Sequence, residues 1–338
     1  MDSDPEEMRF LGVVGVLKEA SKILHSYMRL FISLGCTLVL PLGIVIFGHH
    51  LISAPLHHKI FINEMREELE AGTPAAAQTQ RILDMELIGL ALLTILYFVF
   101  AMAFSLLSTA AIVYSVASIY TGKGLSYSKV LSVVPTVWKR LVVTFLWAHL
   151  VIFVYHFSFL FVLTFLHFLQ RTIGLRMEFL GIPVLIAFFG MLVYLNLVWH
   201  LASVITVLEE SYGLEAMKKS VSLIKGKKLV GYGLFLIYIF CVFVVLISFA
   251  RNVVSHRHHI QNMPIRAFVG FTLLLLFMAI TLFAILMQSV LYFVCKSTHY
   301  ETIDRGALSE YLDGYLGDYM PLKGRVSLEA LEAELEEV

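Results

Sequence analysis

The sequence predicts an all-α integral membrane protein of six transmembrane helices, arranged as three pseudo-repeated hairpins, each preceded by a cytosolic interfacial amphipathic helix. Three observations lead there. Hydrophobic residues make up 59% of the chain and charged residues only 15%, where soluble domains carry roughly 25% charge. The apolar residues gather into long uncharged runs. The lysines and arginines divide unequally between the two sides those runs define. Mean hydropathy is +0.83.

An apolar run of about 18 or more residues is long enough to cross the roughly 30 Å hydrocarbon layer as a helix. Six such runs lie in the chain: Leu30–Phe47, Leu87–Val113, Leu141–Leu166, Gly181–Val207, Leu229–Ala250 and Ala267–Val294, none containing Asp, Glu, Lys or Arg. They divide the chain into a cytosolic amphipathic segment (residues 1–29), a six-span domain (30–295) and a cytosolic tail (296–338). Because acidic residues precede it, Leu30–Phe47 reads as an uncleaved anchor rather than a signal peptide. Seventeen Lys and Arg fall on the side of the two termini and eight on the other, so the positive-inside rule places both termini in the cytosol.

Each odd-numbered span follows a short amphipathic stretch: Val13–Tyr27, Leu125–Val137 and Leu214–Ile224. Gly124, Leu125 and Lys129 align with Gly213, Leu214 and Lys218, and Ser21, Leu24, Arg29 and Leu30 align with Ser220, Leu223, Lys228 and Leu229. The competing explanation is that any basic segment entering a membrane helix looks this way. If the repeat holds, three apolar faces lie at the acyl boundary with lysines among the headgroups. Lys218, Lys219, Lys225, Lys227 and Lys228 then form a surface for anionic lipid, worth about 1 kcal/mol per nearby cation.

Two polar pieces remain. The far-side segment from His49 to Glu86 is expected to be a loop holding an acidic helical run, Glu64–Glu70, and a small-residue linker, Ala71–Ala77. The tail ends in Ser327–Val338, where Ser327 suits an N-cap and Leu328, Leu331 and Leu335 share a face.

Polar groups inside membrane spans are the usual markers of function. Here they are Asn196 and His200, spaced i,i+4, with Ser203 beyond; His149 and His156, seven apart; and Gln288 with Ser289. One reading is a polar pore or ligand pocket; the other is hydrogen bonding between packed helices, at about 0.6 kcal/mol per bond. Histidines at the far-side boundary (His49, His50, His57, His58, His256, His258 and His259) have the chemistry for metal binding or acid sensing, but without an accompanying Cys or carboxylate pattern solvation at the interface is their default reading. His299 and Asp304 match the spacing of a carboxylate-oriented histidine base, which is the sole enzymatic candidate. Cys36, Cys241 and Cys295 match no metal or redox motif and read as packing residues. No catalytic, cofactor or metal residues are assigned, and zero net charge removes the electrostatic case for nucleic acid.

Between the fourth and fifth spans stand Glu209 (or Glu210), Gly213, Ala216, Lys219, Ser220, Leu223 and Gly226. This pattern resembles the membrane region fused to some bacterial glycerophosphodiester phosphodiesterases. The stretch Tyr292–His299, with Ile303–Ala307 and Gly314–Lys323, resembles a plant family of multi-pass membrane proteins of unknown function, a likeness that covers nearly the whole chain. The phosphodiesterase's catalytic barrel has no counterpart here, so the resemblance implies a membrane fold and no chemistry. In physical terms Gly213 permits a tight exit from the fourth span, while Ala216 and Ser220 let the following helix pack closely.

The expected function is non-enzymatic: membrane organisation, trafficking or scaffolding through a cytosolic lipid-facing surface. Its partner is the bilayer, and its expected location is the endomembrane system, the endoplasmic reticulum first and the plasma membrane as the alternative. The rival is a channel or uncoupled transporter for a small neutral or lipid-like solute, lined by Asn196, His200, His149 and His156.

Overall fold

A computed structural model describes residues 9–70, 72–173, 177–254, 262–299 and 305–315. The described residues are helical and contain no strand. In chain order the helices are α1 (Val13–Ser26), α2 (Met28–Glu70), α3 (Pro74–Tyr120), α4 (Tyr127–Ile173) and α5 (Met177–Leu208). There follow α6 (Leu214–Leu223), α7 (Lys228–Val254), α8 (Met263–Thr298) and α9 (Arg305–Gly314). Six of these, α2 to α5, α7 and α8, are long and apolar enough to cross a membrane.

The core is concentrated at one end of the bundle. Leu106–Tyr120 of α3, Leu197–Leu208 of α5 and Ile285–Cys295 of α8 are buried almost throughout, and α1, α6 and Leu312 of α9 share their core. Towards the other end the helices turn apolar side chains outward. Ile88, Leu92 and Ile95 on α3, and Phe153, Phe157 and Phe161 on α4, are exposed. Water would make such a surface costly, whereas lipid tails cover it freely.

Several expectations are revised. The segment from His49 to Glu86 is not a loop. Helix α2 runs through the acidic stretch to Glu70, and α3 starts at Pro74. At 1.5 Å per residue the 47 residues of α3 extend about 70 Å, more than twice the hydrocarbon thickness. Residues 74–77 of the small-residue linker form the first turn of α3 because alanine is the best helix former and a first-turn proline is already set at the helical φ. The antiparallel seam is closed by buried Ile60 and Leu83. Asn63 Nδ2 donates to Glu86 Oε2 at 2.8 Å, and Thr79 Oγ1 to Glu70 Oε2 at 2.8 Å.

Two of the three amphipathic stretches form separate helices, α1 and α6. The third, Leu125–Val137, is continuous with the span after it, inside α4. Chain breaks fall at Tyr27 (φ −121°, ψ 34°) in the first unit and at the turn containing Gly226 (φ +100°) in the third; the second unit has Trp138 at the aligned position and no break.

The apolar faces meet protein rather than acyl chains. Val16, Ala20 and Ile23 of α1, Val130, Val133, Val134 and Val137 of α4, and Ala216, Met217 and Leu223 of α6 are buried in the common core. The tail is likewise joined to the bundle over α9, through Leu312. Ser327–Val338, His256, His258, His259 and Asp304 lie outside the described residues.

Candidate functional site

Two polar constellations emerge: one inside the bundle and one at its capped end. The first surrounds a cavity of about 330 Å³ to which all six long helices contribute. The wall is largely apolar, with Leu42, Phe98, Phe145, Leu234, Phe277 and Ile285 among its members, and among the described residues it holds no Asp, Glu, Lys or Arg. Its polar members include His149 of α4, Trp199 and His200 of α5, and Gln288 of α8. The rings form a continuous chain: Phe145 stacks on His149 at 3.7 Å between centroids, His149 meets Trp199 edge-on at 5.4 Å, and Trp199 meets His200 at 4.6 Å.

Hydrogen bonding within this wall is incomplete. His149 Nδ1 donates to the Phe145 carbonyl at 2.9 Å. That bond places the proton on Nδ1 and leaves Nε2 of the neutral ring as an acceptor. Trp199 Nε1 is buried without a hydrogen-bond partner. Among the described residues no hydrogen bond is made by His149 Nε2, by the imidazole of His200 or by the Gln288 amide. Buried polar groups are normally paired, so the unpaired Trp199 Nε1, with the uncommitted groups beside it on the wall, leaves hydrogen-bonding capacity for an occupant.

Of the four residues expected to line a pocket, His149 and His200 do so. Asn196 and His156 do not. Asn196 Nδ2 turns back to the Leu192 carbonyl at 2.9 Å, and His156 is exposed with Nδ1 on the Ile152 carbonyl at 2.8 Å. A cross-helix hydrogen bond expected of such groups is found elsewhere, between Thr144 and Thr206 at 2.9 Å. Trp199, Tyr97 and Tyr238 are cavity members that sequence reasoning passed over. As aromatic residues in apolar runs, they carry no local sign of facing a cavity.

The second constellation is assembled from the interspan motif. Glu209, just beyond α5 and mostly buried, receives Lys219 of α6 on Oε2 at 2.5 Å. On Oε1 it receives the Tyr292 hydroxyl at 2.6 Å and Lys296 at 3.2 Å, both from α8. Burial works to raise the Glu209 pKa, but the hydrogen bonds from Lys219 and Tyr292 and the charges of Lys296 and Lys219 together hold it below the usual carboxylate range. Tyr311 of α9 donates to the Glu209 carbonyl at 2.7 Å and receives Arg140 of α4 at 3.0 Å. Burial pushes the Tyr311 phenol up, keeping it a donor. Tyr315 donates to the Val207 carbonyl at 3.2 Å.

The remaining motif residues seat α6. Gly213 has φ +64° and its N–H donates to Thr144 Oγ1 at 2.8 Å. Ser220 Oγ donates to the Val198 carbonyl at 2.8 Å, and Ala216 and Leu223 are buried beneath it. His299 Nε2 faces the carbonyls of Leu223 at 3.0 Å and Lys225 at 2.8 Å, so this histidine caps the end of α6. Among the headgroup lysines, Lys219 is engaged by Glu209 and Lys227 reaches the Leu11 carbonyl at 3.2 Å, while Lys218, Lys225 and Lys228 are exposed. No motif residue lines the cavity. Among the described residues no three His, Cys, Asp or Glu side chains gather as a metal site.

The model of one family, the domain of unknown function DUF8558, matches residues 1–331. The chain belongs to that family. The match runs from before α1 to beyond α9, so this DUF8558 domain takes in the bundle, its cavity and its motif latch together. No curated protein and no solved structure matches the chain.

Proposed function

We propose that this DUF8558 protein is a non-enzymatic multi-pass membrane protein that holds a small uncharged, lipid-phase molecule among its six spans, as an uncoupled carrier does. The observation that carries this reading is the 330 Å³ cavity with its apolar wall and unpaired polar groups. An ionised solute has no counter-charge there, and an uncompensated charge in such a place is very costly. Coupling to an ion gradient ordinarily uses an embedded carboxylate or cation, which the wall also lacks. The lysine and arginine asymmetry supports cytosolic termini, hence a cytosolic latch, and an endomembrane location is part of the same proposal.

The test uses the full chain in nanodiscs, with Trp138 and Trp147 changed to phenylalanine so that Trp199 reports alone. Bromododecane and bromododecanol are expected to quench Trp199 saturably. Ala101→Phe and Ala284→Phe, which fill the cavity from two different helices, are expected to abolish the saturable component. Quenching by every probe that rises linearly, as for bulk lipid contact, and is indifferent to both substitutions overturns the reading.

One observation favours a second reading, membrane organisation through a basic surface: Lys218, Lys225 and Lys228 are exposed on and just after α6. Binding of the detergent-purified protein to liposomes should then rise with phosphatidylserine content, and fall about 10-fold when all three become glutamine, at about 1 kcal/mol per cation less screening. Equal binding by both proteins at every lipid composition rejects it.

A further inference from the structure

The cavity's hydrogen-bond inventory restricts its occupant further than size and charge do. Resting on the carrier reading above, we propose that the ligand is an aliphatic or alicyclic alcohol, whose hydroxyl donates to His149 Nε2 while an apolar body of about a dozen non-hydrogen atoms fills the remainder.

The size follows by comparison. A cavity of about 150 Å³ holds one benzene, so one of about 330 Å³ takes about twice that bulk. A longer tail has to leave between helices into lipid. A charged ligand is disfavoured because the described wall residues include no Asp, Glu, Lys or Arg and its histidines are read as neutral. The direction of the hydrogen bond is set by the His149 tautomer. Its Nδ1 proton is committed to the Phe145 carbonyl in the preceding turn, so Nε2 can only accept. A pure hydrocarbon, a ketone, an ester or an ether therefore leaves Nε2 unpaired on binding. An alcohol fills it, and its oxygen keeps two lone pairs for donors on the same wall, where Gln288 has an uncommitted amide. The ring chain from Phe145 through Trp199 holds His149 by stacking and edge contacts, so the acceptor is positioned before the ligand arrives. A preorganised acceptor of this kind discriminates mainly against analogues that cannot donate.

The experiment is a matched series on the Trp199-only protein in nanodiscs: bromododecanol, its methyl ether and bromododecane, each corrected for its own partition into lipid. The alcohol is expected to saturate at about 10-fold lower membrane concentration than the ether or the alkane. In His149→Phe, which keeps a stacking ring and loses the acceptor, the three probes should converge to within about 2-fold while binding persists. Equal affinity of all three for the native protein overturns the alcohol assignment and leaves the carrier reading standing. A preference for the alcohol that survives His149→Phe overturns the role of His149 Nε2. Absence of saturable quenching by any of the three overturns the carrier reading itself. The native series does not depend on the variant folding, so the assignment stays open to refutation on the unaltered chain.

Discussion

Glu209→Ala is expected to lower the apparent melting temperature of the detergent-solubilised protein by about 5 °C, from a loss of about 2–3 kcal/mol. Removing one partner of a buried ion pair strands the others, at about 3–5 kcal/mol when all are buried. Lys219 is about one-third exposed and recovers part of that from water, which brings the figure down. The substitution strips an acceptor from Lys219, Tyr292 and Lys296 together, so α5, α6 and α8 lose a common tie. The pH dependence gives an independent check. The folded pKa of Glu209 lies below its unfolded value, so the folded state holds fewer protons and the contribution is fully present above the unfolded value. It is lost as pH falls through the folded value. Wild-type melting temperature should therefore drop more steeply than that of Glu209→Ala as pH is lowered below the unfolded carboxylate value of about 4.5. Parallel pH profiles would refute the latch role.

Gly213→Val should cost about 3 kcal/mol, read as a loss of monodisperse protein on heating in size-exclusion chromatography. At φ +64° and ψ −134° the backbone occupies a region that a β-branched residue enters only under strain, at about 1–3 kcal/mol. A Cβ placed there meets Trp147 Cδ1 at 3.3 Å and Val143 Cγ1 at 3.5 Å, so α4 must give way as well. Thr144→Val is the companion, since it removes the acceptor of the Gly213 N–H and the partner of Thr206. It is expected to cost about 1–2 kcal/mol. A valine at position 213 tolerated without loss would mean that the exit from α5 does not need this conformation.

The motif is legible in the sequence as a pattern, whereas the contacts its residues make are not. The pattern predicts a tight exit at Gly213 and close packing at Ala216 and Ser220; in the structure Gly213 takes φ +64°, and Ala216 and Ser220 are buried. Lys219 was read as a headgroup lysine, yet its charge is directed to Glu209. A lysine's sequence position records its charge and says nothing of the carboxylate ten residues earlier turning to meet it. His299 is similar: its spacing from Asp304 fits a catalytic base, yet its Nε2 is spent on the end of α6.

By itself the sequence determined that there are six long apolar helices and that a glycine turn follows the fourth, but not where the helices begin. Hydrophobic run length, lysine and arginine placement and glycine at positive φ are local properties, and the physics of burying a backbone acts on each segment alone. Only the tertiary structure decided what each helix face meets. An apolar face is equally content against acyl chains or against neighbouring side chains, so nothing in α1 or α6 alone announced that both are clasped by the bundle. Likewise, a cavity depends on how far each of six helices is rotated about its own axis. That angle is set by packing across the whole chain, and it brought His149, His200 and Gln288 to one wall while leaving Asn196 and His156 outside it.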